Sequence, residues 1–97
     1  MASFRPESHK TLVQRLRTLR EERHWSLEIV AARLPGWMDF DFSKLARVER
    51  CVRDVSYAEL REIAHALETS IAELDAHVNE VLAAKATAGH GRPRKRR

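Results

Sequence analysis

Cysteine is nearly absent from this chain. Cys51 stands alone, which excludes an internal disulfide and a multi-cysteine metal site. No run of about 18 apolar residues occurs, so no membrane span is expected. The opening MASFRPESHK lacks the apolar stretch of a signal peptide. Paired carboxylates, a glycine-rich phosphate loop and a Cys/His pairing at useful spacing are also missing, so an enzyme is not expected. His9, His24, His65, His77 and His90 are scattered and form no ligand cluster. Neither a cofactor nor a metal is therefore expected.

What is present is charge, unevenly placed. Residues 1–53 hold 11 Lys/Arg against 7 Asp/Glu, residues 54–91 hold 2 against 7, and residues 92–97 add 5 positive charges. A basic front, an acidic rear and a basic end suit a surface meant for a polyanion, although scattered surface charge gives a similar balance. With 97 residues and 43% apolar composition, the chain can build one small core, and dimerisation would help it.

The hydrophobic spacing is helical throughout, with no period of two. A first helix is expected over about His9–Arg23, with Leu12, Leu16 and Leu19 inward and Val13 at the edge. Its outward arginines, Arg15, Arg17 and Arg23, form either a solvated basic face or phosphate contacts. Ser26 can cap a second helix over about Leu27–Leu34, which Pro35 and Gly36 then end, the glycine taking up a left-handed turn. Asp41 can cap a third, Phe42 to about Arg50. Leu45 and Val48 face inward there, leaving Ser43, Lys44, Arg47 and Arg50 outward, as a helix must be built to pack behind and donate to base edges in front.

Two Ser-x-x-Glu capping boxes follow, Ser56–Glu59 and Ser70–Glu73. The helix after the first carries Leu60, Ile63, Ala64 and Leu67 on one face. The last carries Ile71, Leu74, Val78, Val81 and Leu82, and is expected to run to about Ala86 before Thr87-Ala-Gly89 breaks it. The resulting division is a loose 1–8, a five-helix all-α domain over 9–86, and a disordered basic tail over 87–97.

In their order and spacing these elements resemble the Cro/repressor type of helix-turn-helix domain, the XRE family, over about Leu12–Asp75. The opening LRTLREERHWS and the ending YAELREIAHALETSIAELD carry the likeness. The resemblance implies a five-helix, lambda-repressor-like fold in which Arg20 pairs with Glu49, each charge needing the other once buried. It implies that Phe42, Ser43 and Arg47, with Lys44 beside them, read bases. Arg47 is the residue for a two-bonded guanine contact. Trp25 falls at a core position of the family. The chain departs from the pattern twice. Roughly four extra residues lie in PGWMDFD between the second and third helices, leaving the helix-three register open by about a residue. Leu27 stands where the family often has a phosphate-binding glutamine. Trp37, Met38 and Phe40 of the insertion are expected to cover the corner between helices two and three.

The expected function is a sequence-specific, double-stranded-DNA-binding transcriptional regulator, most simply a repressor, in the cytoplasm at the nucleoid. Arg15, Arg17, Arg23, Arg50 and Arg53 are phosphate candidates, as are Arg92, Arg94, Lys95, Arg96 and Arg97 of the tail. Gly91-Arg92-Pro93 is similar to the core of an AT-hook, so minor-groove contact is a further role for that tail. Ile71, Leu74, Val78 and Val81 are the expected homodimer seam, and the same stripe also suits the chain's own core. A different class of function is an antitoxin or adaptor module acting through protein contacts on the same fold. RNA binding has less behind it, since no stacking aromatics accompany the tail arginines.

Overall fold

The computed structural model describes residues 7–90. Five α-helices make up the described residues: α1 (Glu7–Glu22), α2 (Leu27–Ala32), α3 (Phe42–Glu49), α4 (Tyr57–Ala66) and α5 (Ile71–His90), with a single 3₁₀ turn at Gly36–Met38. No strand occurs among them.

Their starts follow the caps written in the sequence. The Ser26 hydroxyl accepts from the Ile29 N–H at 3.2 Å, and the Asp41 carboxylate from the Lys44 N–H at 2.9 Å. Ser56 and Glu59 form the full reciprocal box, at 3.1 and 2.9 Å. At α5 only half of the second box exists. Ser70 accepts from the Glu73 N–H at 3.1 Å, but the Glu73 carboxylate is taken by the Thr69 hydroxyl at 2.8 Å. The neighbouring hydroxyl reaches it instead of the cap's own N–H.

Three helix ends share one device that the sequence conceals. α1, α3 and α4 close on His24, Cys51 and Glu68, all left-handed, with φ of 57°, 61° and 63°. In each, the next N–H reaches back to the final turn: Trp25 to the Arg20 carbonyl at 3.2 Å, Val52 to Arg47 and Thr69 to Ala64 at 2.9 Å each. This is the Schellman closure, made here without glycine.

Leu16 and Leu19 of α1, Val30 of α2, Leu45 and Val48 of α3, Ile63 of α4 with its C-cap Leu67, and Leu74 of α5 meet in one core, with Met38 and Phe40 completing it. α1 and α5 run antiparallel. Glu7 at the start of α1 bonds Lys85 near the end of α5, while Arg23 after α1 meets Glu68 just before α5 at 3.4 Å.

Several expectations are corrected. α1 begins at Glu7, inside the segment expected to be loose, where an acidic first turn suits the helix dipole and Lys85 supplies a partner. Val13 is buried, not at an edge, while Leu12 is the half-buried one. α2 stops at Ala32 with Arg33 as its C-cap, and Gly36 opens the 3₁₀ turn without a positive φ. The left-handed residue of this connection is Asp39, at φ 52°. α5 passes through Thr87-Ala-Gly89 to His90. One glycine disfavours a helix by only about 1 kcal/mol relative to alanine, too little to stop one that an alanine-rich stretch propagates.

Candidate nucleic-acid interface

The site is built on α3. Leu45 and Val48 are buried in the core, so the opposite face must turn outward. That face carries Phe42, 48% exposed, half-buried Ser43, and exposed Arg47 and Arg50. Phe42 is thus presented to solvent.

A two-bonded ion pair holds this helix against α1. Arg20 donates through Nε and Nη2 to the two Glu49 oxygens at 2.8 and 3.0 Å, and through Nη1 to the Trp25 carbonyl at 2.9 Å. Both side chains are only 14% exposed. The Glu49 hydrogen bonds hold the Arg20 guanidinium above its ordinary pKa, against the opposing effect of burial. The end of α1, the entry to α2 and the end of α3 are thereby fixed to one another.

The arginines of the described residues divide cleanly. Arg17 pairs with Glu21 at 3.1 Å, Arg33 with Glu68 at 3.6 Å, Arg53 with Glu59 at 4.0 Å and Arg61 with Glu62 at 3.2 Å. Arg20 and Arg23 are paired as above. Of these arginines, only Arg15, Arg47 and Arg50 have side chains with no ion-pair or hydrogen-bond partner among the described residues. Two of these uncompensated charges lie on α3 and its C-cap.

Other candidates are committed internally. Arg23 also donates to the Leu19 carbonyl at 3.2 Å and lies 5.7 Å from the centre of the Trp25 ring. Arg53 stands 4.7 Å over the Phe40 ring. The Lys44 ammonium donates to the Asp39 carbonyl at 2.8 Å. The tail cations Arg92, Arg94, Lys95, Arg96 and Arg97 lie outside the described residues.

Of the insertion, Met38 and Phe40 are buried as expected, but Trp37 points outward at 61% exposure. Trp25 is half-buried and packs on the core as expected, with the Arg33 guanidinium 4.4 Å over its ring. Arg33 is a residue the sequence did not single out. Its Nε donates to the Ala66 carbonyl at 2.9 Å, satisfying the end of α4. No local spacing announces a bond to a residue 33 positions away. Asp39 is equally hidden, because aspartate in a left-handed turn leaves a weaker trace than glycine.

The expected dimer seam is largely used within the chain. Leu74 and Val78 are buried against the chain's own helices, and Ile71 and Val81 are half-buried. Among the described residues no helix is long and apolar enough to cross a membrane, and no group of His, Cys, Asp and Glu could hold a metal ion.

A family model described as a helix-turn-helix domain matches residues 11–77, more than half of the chain. The chain belongs to the helix-turn-helix domain family. No curated protein and no solved structure matches it.

Proposed function

We propose that the chain is a sequence-specific double-stranded-DNA-binding transcriptional regulator of the Cro/repressor type, with α3 lying in the major groove. The observation that carries this reading is the pair of uncompensated guanidiniums, Arg47 and Arg50, on and just after a helix whose other face is buried. An exposed cation without an acidic neighbour is available to a phosphate or a guanine edge. In this reading Arg47, Ser43 and Phe42 meet bases, and Arg50 and Arg15 meet phosphates. Arg17, paired only across one exposed helical turn, can exchange Glu21 for a phosphate at little cost. Arg23 and Arg53 would each have to leave an internal partner. A homodimer, joined through residues other than Leu74 and Val78, would set two copies of α3 about one DNA turn (~34 Å) apart on a palindromic site.

The test is selection of bound sequences from a random duplex pool, followed by Arg47→Ala. An enriched motif is expected, with binding that weakens steeply as salt rises. Arg47→Ala should lose about 1–3 kcal/mol at the selected site and relax one base preference. Equal binding by the variant overturns the assignment of α3.

A second reading, an antitoxin or adaptor acting through protein contacts, is favoured by the exposed Trp37, Val52 and Tyr57, at 61%, 60% and 70%. Salt-insensitive or absent duplex binding would support it.

A further inference from the structure

Lys44 is bonded to both ends of the turn that leads into α3. Its backbone N–H donates to the Asp41 carboxylate at 2.9 Å. Its ammonium donates to the Asp39 carbonyl at 2.8 Å, with the Asp39 carboxylate 3.7 Å away. The Asp39 N–H in turn bonds the Gly36 carbonyl at 3.1 Å. One residue in the first turn of α3 is therefore linked through Asp39 to the start of the 3₁₀ turn. The Asp39 carbonyl follows that turn directly, and the bond it accepts from the ammonium is charge-assisted.

The conformation being held is a left-handed one. Asp39 sits at φ 52°, in the left-handed region, where aspartate is tolerated better than most residues bearing a Cβ but still gains from partners that fix it. Burial of Met38 and Phe40 on either side anchors the turn to the core. Lys44 anchors it to the helix.

We propose that Lys44 is a positioning residue for the recognition helix. It fixes where α3 begins relative to the 35–41 turn, and so which base edges Phe42 and Ser43 meet, without itself touching DNA. The inference rests on the reading of α3 as the DNA-reading helix. The two roles open to this lysine leave different signatures. A phosphate contact contributes about 0.9 to the slope of log affinity against log salt. A positioning role contributes nothing to that slope and acts on base preference.

The experiment uses the full chain as parent, Lys44→Gln, Lys44→Arg and, for comparison, Arg50→Gln. Affinity for the duplex selected by the parent is followed through a salt series, and discrimination against single-base variants is measured. Amide hydrogen exchange at Asp39 and Phe40 is measured without DNA. Lys44→Gln should keep the parental salt slope, speed exchange at Asp39, and reduce discrimination roughly tenfold at the bases facing Phe42 and Ser43, within the usual worth of one base pair. Lys44→Arg should recover part of both. Arg50→Gln should lower the slope with the preference intact. A lowered slope with unchanged preference in Lys44→Gln makes Lys44 a DNA contact and overturns the proposal, as does unchanged exchange at Asp39. A parent that selects no sequence overturns the DNA reading itself. That failure is told apart by the exchange rates, which report on the turn alone.

Discussion

Arg20 and Glu49 meet as a two-bonded fork between the last turn of α1 and the last residue of α3. The pair joins the helix that would read DNA to the helix it packs on. Its value lies in removing a penalty more than in adding attraction, since either charge alone at this depth would be poorly solvated.

Glu49→Ala should therefore destabilise the fold by about 2–4 kcal/mol, more than an exposed ion pair costs. Arg20 would keep only its bond to the Trp25 carbonyl. Replacing both residues with leucine should be milder than the sum of the single changes, because neither charge is then stranded. Urea unfolding of the parent, Arg20→Leu, Glu49→Leu and the double leucine variant measures the coupling. Additive losses would show that the fork contributes nothing as a pair.

His24 is exposed and left-handed at φ 57°, with no glycine relief. His24→Gly should stabilise the domain by about 0.5–1 kcal/mol, since glycine adopts this conformation without strain but loses more entropy on folding. A β-branched residue there, His24→Val, should destabilise it. Thermal unfolding at one protein concentration decides the sign.

These left-handed closures show where sequence reading stops. Ser26, Asp41 and Ser56 announce helix starts because a short polar side chain before an apolar stripe has a specific hydrogen bond to make. The ends at His24, Cys51 and Glu68 carry no such mark, because glycine is the residue that usually signals them. The stripes of α3 and α4 are readable from spacing. The turn over 35–41 is not, because PGWMDFD has no period and the packing of its neighbours sets whether Trp37 or Met38 turns inward. The Arg20–Glu49 pair follows from family resemblance alone, since 29 positions separate its members. The uncompensated state of Arg47 is out of reach for a related reason. Whether an arginine has a partner depends on which acids the fold brings near it.

Asp41 gives the α3 start a pH dependence. The Lys44 backbone N–H, as the main influence, holds the Asp41 carboxyl below its usual range. A depressed folded pKa means that the cap's contribution is fully present above the unfolded value of about 3.9, and is lost as pH falls through the lower folded value. Asp41→Asn keeps an N-cap acceptor that does not titrate. The stability gap between parent and Asp41→Asn should shift against the parent as pH falls from about 5 to 2. A gap independent of pH, from parallel urea titrations, would rule this out.

Leu74 is 1% exposed in the core, although its spacing also suits a seam between two copies. Leu74→Ala should cost about 2–5 kcal/mol of fold stability through reduced burial and the cavity left behind. Because the packing is within one chain, the effect should be the same at low and high protein concentration. An effect that fades on dilution, with the parent falling apart into monomers, would instead place Leu74 between subunits.

The tail supplies the last expectation, and it follows from charge alone. Residues 91–97 carry Arg92, Arg94, Lys95, Arg96 and Arg97, five positive charges in seven positions. The contribution of such a charge run to a DNA complex would be attraction to phosphates. Removing it should flatten the salt dependence of duplex binding by up to ~0.9 in the logarithmic slope for each phosphate that is no longer neutralised. The sequence selected by α3 should stay the same, because phosphates carry no base information directly. The AT-hook likeness of Gly91-Arg92-Pro93 adds a distinguishable outcome. If those arginines enter a narrow minor groove, truncation should also erase any preference for A·T pairs flanking the selected site. Salt titrations and repeated selection with the truncated chain measure both quantities. An unaltered slope would show that the tail does not touch DNA.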